Sequence, residues 1–176
     1  MMDFENQQII TELLPRMETV EYEPLKKNFL WMSLTQNAIF LVVLFAIGMI
    51  FTLTMFLSTF FMSFLKMIGI WLVLVIGLVL LTWFGFRVKG YAVRDRDITY
   101  KTGLIFRSVI SVPFNRVQHC EIRKGPFEEL FDIAKLKVYT AGGAASDLSI
   151  PGLDPARAES LKEFILKKTE EEDEEE

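Results

Sequence analysis

The feature that most constrains this chain is one apolar stretch, residues 37–86, in which Lys66 is the only charged side chain. Each half of the stretch, on either side of Lys66, has about 20 residues. A helix of that length, rising about 1.5 Å per residue, crosses a hydrocarbon core of about 30 Å. A single helix over the whole stretch would measure about 75 Å, far more than a bilayer. The pattern therefore predicts a hairpin of two transmembrane helices.

The hairpin is assigned to residues 29–86, with spans at about 37–57 and 67–86. Lys66 would cost about 2.5–3.5 kcal/mol near the centre of a membrane and little at the tip of a hairpin. The turn is therefore predicted near residues 58–66.

The orientation of the hairpin follows from the basic residues beside it. Two lysines precede the first span, and Arg87 and Lys89 follow the second, whereas the connecting loop has only Lys66. Because segments rich in Lys and Arg stay in the cytoplasm, we expect a multi-pass plasma-membrane protein with both termini cytoplasmic. The single Cys120 suits a reducing compartment, and the acidic N-terminal segment lacks the positive charge of a signal peptide.

Charge divides the rest of the chain into three segments. Residues 1–28 are acidic, and within them Glu18–Leu25 alternates β-forming residues with acids, which predicts a short strand. Residues 87–169 carry fifteen Lys and Arg against ten Asp and Glu, so the overall net charge of −4 conceals a basic domain. Residues 170–176 are all acidic and are predicted to be disordered, because like charges repel.

Beyond residue 86, apolar residues recur at every second position, as in strands with one buried face. Strands are predicted at 87–93, 97–101, 104–112, 117–124, 135–140 and 147–150, with a helical turn at 127–131. Asp154 and Pro155 provide an N-cap and a first-turn proline for a C-terminal helix. The fold class predicted is an α+β membrane protein, in which a β-rich domain closed by one helix follows the hairpin.

Six stretches after the hairpin carry a resemblance to a known family. They are Tyr91–Ile98, Lys101–Arg107, Val112–His119, Gly125–Phe131, Leu136–Gly143 and Asp147–Gly152. In this order they resemble the YdbS-like bacterial membrane proteins, whose soluble part is a bacterial pleckstrin-homology (PH) domain. The resemblance covers about residues 18–168. It implies a PH-like split β-barrel with a C-terminal helix over one open end, attached to a bacterial plasma membrane, and it implies no established ligand.

Six basic residues are candidates for a face turned to the bilayer: Lys89, Arg94, Arg96, Arg107, Lys135 and Lys137. Anionic headgroups would favour each nearby base by about 1 kcal/mol. The alternative is that bases beside the membrane only set its topology.

Four further candidates lie elsewhere in the basic domain. Arg116 and His119 could hold a phosphate or a partner's carboxylate. Alternatively, Arg116 pairs with Asp95 or Asp97 and His119 is an exposed strand residue. Gly142 and Gly143 could cradle an anion with backbone N–H groups, or could supply the positive φ that a loop needs.

No sequence motif for catalysis or metal binding occurs. His119 and Cys120 are neighbours on a predicted strand and so point to opposite faces, which prevents a Cys/His pair. We therefore expect no enzyme activity and no cofactor. The aromatic residues lie in the apolar stretch and not among the bases, which argues against nucleic-acid binding.

The predicted function is that of a membrane-anchored binding or scaffold module. Its cytoplasmic domain would bind a membrane or cytoplasmic protein partner, including a second copy or a paralogue, or anionic lipid of the bilayer. The alternative is an accessory subunit of a membrane transport or export complex.

Overall fold

The computed structural model describes residues 20–55, 60–143 and 146–175. The helices are α1 (Lys27–Met55), α2 (Phe60–Arg87), α3 (Pro126–Leu130) and α4 (Pro155–Glu175). The strands are β1 (Glu23–Pro24), β2 (Gly90–Val93), β3 (Asp97–Thr102), β4 (Ser108–Pro113), β5 (Val117–Arg123), β6 (Ala134–Thr140) and β7 (Leu148–Leu153). A single 3-10 turn, Phe114–Arg116, separates β4 from β5. All pairings between these strands are antiparallel.

Helices α1 and α2 form an antiparallel hairpin, and both are long and apolar enough to cross a membrane. Most of their large apolar side chains are exposed, as a surface that faces lipid requires. Polar contacts join the two helices: the Asn37 amide donates to the Thr82 hydroxyl at 2.7 Å, and Trp71 Nε1 donates to the Leu41 carbonyl at 3.3 Å. In lipid, such interhelical hydrogen bonds satisfy groups that water cannot reach.

The helices extend further than the sequence predicted. Because α2 already begins at Phe60, Lys66 lies within this helix and not in the turn expected near residues 58–66. The rise from Lys66 to Arg87 is about 31 Å, roughly one hydrocarbon thickness. A lysine at the end of a span can place its ammonium group at the interface, so its charge does not require a break in the helix. Residues 58 and 59 of the expected turn lie outside the described residues.

The start of α1 is attached to the β domain before the helix enters the apolar span. Lys26, directly before α1, forms salt bridges with Asp132 at 2.9 Å and Asp154 at 2.7 Å. The Asn28 side chain donates to the Phe131 carbonyl at 2.8 Å. Helix α1 therefore runs without interruption from the β domain into the hairpin.

Two sheets form the β domain, with strand orders β1-β2-β3-β4 and β5-β6-β7. Their facing sides bury a common core that includes Ile98, Phe114, Leu136 and Ile150. Helix α4 packs against the 3-10 turn, β5 and β6, and buries Ile165 there. The predicted fold class, a transmembrane hairpin followed by a PH-like split barrel with a C-terminal helix, is confirmed.

The predicted N-cap of α4 is present, since the Asp154 carboxylate accepts a hydrogen bond from the Ala156 N–H at 3.1 Å. The predicted disorder of residues 170–176 is wrong for 170–175, which continue α4. Lys167 and Lys168 form ion pairs with Glu171 at 3.8 and 2.6 Å, and these one-turn pairs offset part of the repulsion. Residue 176 lies outside the described part of the chain.

Three predicted strands begin later in the structure. The strand expected at 87–93 begins at Gly90, because α2 continues to Arg87. The strand expected at Glu18–Leu25 is described only from residue 20, and there it comprises Glu23 and Pro24. The strand expected at 104–112 begins only at Ser108. Gly103 has a φ of 96°, and a Cβ on it would lie 1.8 Å from the Phe106 carbonyl oxygen. The chain therefore closes into a tight loop before β4 starts.

Candidate functional site

The β domain has one end beside the hairpin, which we call the proximal end. Strand β2 begins at Gly90, shortly after α2 ends, and Gly90 pairs with Pro24 and Lys101. These residues define the proximal end of the first sheet. In the second sheet, Phe131 and Asp132 define it, because they contact the start of α1.

The opposite end, which we call the distal end, consists of the β2–β3 turn, the 3-10 turn and the β6–β7 loop. Five candidate residues lie there: Arg94, Arg96, Arg116, Gly142 and Gly143. Backbone hydrogen bonds join the three segments, from Phe114 N–H to the Arg96 carbonyl at 3.0 Å and from Ala141 N–H to the Arg116 carbonyl at 3.3 Å.

Among the distal arginines, Arg94 is engaged within the domain. It forms a hydrogen-bonded ion pair with Asp97, which also accepts a hydrogen bond from Ser111. Burial opposes ionisation of Asp97, but these hydrogen bonds outweigh it and lower the pKa of the carboxyl. One alternative paired Arg116 with Asp95 or Asp97. Asp97 is instead paired with Arg94. Arg96 and Arg116 are exposed, and neither forms an ion pair within residues 20–55, 60–143 and 146–175.

The β6–β7 loop is closed by its own hydrogen bonds. Gly143 has a φ of 78°. This agrees with the alternative in which the glycine supplies the positive φ that the loop needs. The Ser146 N–H and hydroxyl each donate to the Gly143 carbonyl at 2.9 Å. The Asp147 carboxylate accepts from the Thr140 N–H at 3.1 Å.

His119 lies on the exposed face of the second sheet and stacks on Tyr139, with 4.2 Å between ring centroids. The Lys137 ammonium lies 4.1 Å from the Tyr139 centroid and 3.9 Å from the Asp147 carboxylate. The Tyr139 hydroxyl donates to Glu121 at 2.9 Å. His119 and Lys137 thus belong to one ordered polar surface.

Lys89 and Lys135 lie between α1 and the β domain. The Lys89 ammonium is 5.0 Å from the centroid of the Phe29 ring, and burial lowers its pKa. Lys135 pairs with Glu128 at 3.8 Å, and both line a cleft of about 430 Å³ that also contacts Tyr100 and α1 residues. Lys89 is half-buried, whereas the Lys135 side chain is 39% exposed beside the cleft.

The six bases expected to share one face are separated. The prediction of a single basic face is therefore wrong. Arg94 and Arg96 are distal, whereas Arg107 lies at the base of the proximal β3–β4 loop. The β2–β3 hairpin causes this separation, because its turn lies one strand length away from the point where the chain leaves α2. Lys137 faces outward from the second sheet, and Lys89 is half-buried.

Sequence reasoning missed two exposed apolar features that adjoin each other. The first is the loop after β3, where Leu104, Ile105 and Phe106 are 36%, 76% and 89% exposed. The second is β4, where Val109 and Ile110 are 41% and 37% exposed. Three consecutive apolar residues between a glycine and an arginine break the alternation of a strand, and this signal was available in the sequence.

Comparisons with known proteins agree with this architecture. The family model for the bacterial PH domain matches residues 29–169. The UPF0699 transmembrane protein YdbS of Bacillus subtilis strain 168 is 32% identical over 79 residues, which are 45% of this chain and 48% of that protein. The match thus spans about half of the relative's length. No solved structure matches the chain. The family match covers most of the sequence, including nearly all of the hairpin and every strand except β1, and the chain belongs to the bacterial PH domain family.

Proposed function

We propose that this protein is a membrane-anchored scaffold whose β domain lies in the cytoplasm and binds an extended segment of a protein partner along β4. The open edge of β4 carries the proposal. Strand β4 pairs with β3 on one side, and no strand in the described part of the chain pairs with its other side. Such an edge presents unpaired N–H and C=O groups to which a further strand can add.

The other sheet edges are protected against strand addition, and β4 is not. Edge strands commonly carry charges, prolines or bulges that discourage pairing. Strand β1 contains Pro24, β7 contains Pro151, and β5 has Glu121, Arg123 and a register shift near its start. Between Ser108 and Val112, β4 has neither charge nor proline. Its exposed apolar side chains would add side-chain contacts to the backbone pairing.

The membrane anchor makes modest affinity sufficient. A partner confined to the same bilayer meets β4 at a raised effective concentration. The orientation rests on the bases beside the helix ends, which favour cytoplasmic termini. The continuous path of α1 from the β domain into the hairpin holds the domain close to the bilayer surface.

Site-specific photo-crosslinking in intact cells tests this proposal. A photoreactive residue at Ser108, on β4, should give a discrete crosslinked product, and one at Gln118, on the protected edge of β5, should not. Val109→Glu places an acid opposite Lys101 in the β3–β4 register, so the fold should tolerate it. We expect that substitution to reduce the Ser108 product about tenfold, because a charge on an edge strand discourages pairing. Equal products from Ser108 and Gln118 would refute the proposal.

An accessory subunit of a membrane transport or export complex is the second candidate function. A groove of about 680 Å³ between α1 and α2, lined by Leu44, Thr52, Ser63 and Lys66, could receive a helix of another subunit. A third photoreactive residue at Ile70, which is exposed on α2 and lines this groove, separates the two functions. Products from Ile70 alone would favour the subunit, and products from Ser108 alone would favour the scaffold.

A further inference from the structure

The loop between β3 and β4 carries the most exposed large apolar side chain in the described part of the chain, Phe106, at 89%. Ile105 beside it is 76% exposed. The loop is tightly closed, since Gly103 takes a positive φ and approaches the Phe106 carbonyl. Water contact with these side chains is unfavourable, and large exposed apolar groups in a closed loop commonly mark an interaction site.

The strand register directs this loop toward the hairpin. Lys101 pairs with Gly90, which follows α2 closely, and Thr102 and Ser108 form the next pair in the same direction. The loop that joins Thr102 to Ser108 therefore extends beyond the level of Gly90, toward the helices. A strand rises about 3.3 Å per residue, so a loop that continues for even two or so residues past Thr102 covers most of the distance between Gly90 and the end of α2.

An independent contact places the β3–β4 loop at the same level relative to the helices. Tyr100, just before the loop, lines a cleft together with Gln36 of α1. Gln36 directly precedes Asn37, at which the apolar stretch begins and which bonds to Thr82 across the hairpin. The loop continues from Tyr100 toward the hairpin, and so lies near the level at which the apolar stretch of α1 begins.

The residues around the loop suit a lipid interface. Lys101 and Arg107 flank the three apolar side chains, and Arg107 is exposed and forms no ion pair within the described residues. Apolar side chains bordered by bases bind bilayer interfaces through apolar burial and attraction to anionic headgroups. A protein surface would need a partner, whereas the bilayer is already present because the hairpin crosses it.

We propose that the loop Leu104–Phe106 inserts into the interface of the same bilayer that the hairpin crosses, as a third membrane contact of the chain. Insertion would fix the tilt of the β domain against the membrane. It would also anchor the start of β4, which follows the loop directly. This proposal does not depend on a protein partner, and it stands or fails independently of binding along β4.

Spin labelling of the full chain in nanodiscs with one copy per disc tests the insertion. The background is Cys120→Ala, the test label is attached at Ile105→Cys, and the matched control is Gln118→Cys at the distal end. With discs containing anionic lipid, we expect the label at 105 to be about tenfold less accessible to a water-soluble nickel relaxant than the label at 118. Its accessibility to oxygen, which concentrates in lipid, should be higher than that of the control.

Two further variants identify the forces involved. Phe106→Ser should return the label at 105 to water, because it removes the largest inserted side chain. Arg107→Gln should raise nickel accessibility in anionic discs and leave it unchanged in zwitterionic discs. Equal nickel accessibility at 105 and 118 in the parent protein would overturn the proposal, and would assign the loop to a second copy or another protein. That result would leave the crosslinking test of β4 unaffected.

Discussion

At the scale of single residues, burial determines the chemistry of Cys120. The side chain lies on β5 and packs against the core, and this burial raises the pKa of its thiol to about 11. The thiolate is the reactive form, so a rise of the pKa from the ordinary thiol value of 9.0 lowers the reactive fraction at pH 8 about 100-fold. We therefore expect alkylation of Cys120 to be about 100-fold slower in the native protein than in the urea-unfolded chain.

The alkylation rate is measured with a maleimide or iodoacetamide at pH 8. The matched control is Gln118→Cys in a Cys120→Ala background, because position 118 is exposed on the same strand. The control should react at nearly the same rate folded and unfolded. A native rate for Cys120 within threefold of its unfolded rate would contradict the burial argument.

Glu23 gives a prediction about pH. The Tyr91 hydroxyl donates to its carboxylate at 2.6 Å, and Arg157 donates at 2.8 Å. The Tyr91 hydrogen bond, opposed by burial and supported by Arg157, lowers the pKa of Glu23 below 4.5. A lowered carboxyl pKa stabilises the fold above the unfolded value, and this contribution disappears as the pH falls through the folded value.

Glu23→Gln should therefore destabilise the protein at pH 7 and have little effect near pH 3. Because the Arg157 pair is largely exposed, the loss at pH 7 should be about 0.5–1 kcal/mol. The measurement is thermal unfolding of wild type and variant in nanodiscs at both pH values. The comparison isolates Glu23, since the acidic tail is common to both proteins. An equal destabilisation at both pH values would show that the carboxylate charge is not involved.

At the scale of elements, the junction of α1 with β7 depends on Gly152. This residue has a φ of 68°, and a Cβ on it would lie 2.6 Å from the Phe29 side chain. Gly152→Ala should lose about 1–2 kcal/mol from the backbone conformation. It should lose about 1–3 kcal/mol more because Phe29 must move.

Gly143→Ala is the matched control for this substitution. Gly143 also has a positive φ, but nothing lies within 4 Å of a Cβ there. The free energy of unfolding should therefore fall by the backbone cost alone. Only Gly152→Ala should also increase protease cleavage between the β domain and α1. If both variants lose equal stability, the contact with Phe29 does not hold α1 against the domain.

The sequence predicted the elements well where periodicity is strong. The alternation in β6 and the N-cap at Asp154 both appear in the structure. The loop before β4 was missed because its consecutive apolar residues resemble a strand, and only the positive φ of Gly103 ends the pairing. The prediction of a turn at Lys66 is wrong because the sequence does not show that α2 is long enough to carry this lysine to an interface.

The basic face could not be predicted from the sequence for a different reason. Proximity along the chain does not give proximity in the fold, because a β-hairpin can place residues that are close in sequence at opposite ends of a sheet. Arg94 and Arg107 are separated in this way. The open edge of β4 was also hidden, since strand order, and not strand sequence, determines which strands lie at an edge.

At the scale of the whole molecule, the hairpin and the β domain act as one unit. Lys26 forms salt bridges with Asp132, which precedes β6, and with Asp154, which follows β7. Helix α1 begins at the next residue and continues into the membrane. The proximal end therefore faces the bilayer, and the distal end with Arg96 and Arg116 faces away from it. A partner that approaches through solvent would meet the distal end first, and β4 connects the two ends.

Orientation of the whole molecule leads to the last prediction. Met62 lies on α2 about 37 Å from Arg87, a distance greater than one hydrocarbon thickness. Its side chain is 65% exposed. If the β domain is cytoplasmic, Met62→Cys should react with a membrane-impermeant maleimide added to intact cells. Gln118→Cys should react only after the membrane is permeabilised. Both are made in the Cys120→Ala background, so one cysteine is read at a time. Reaction of Gln118→Cys in intact cells would place the β domain outside, where a cytoplasmic partner could not reach β4.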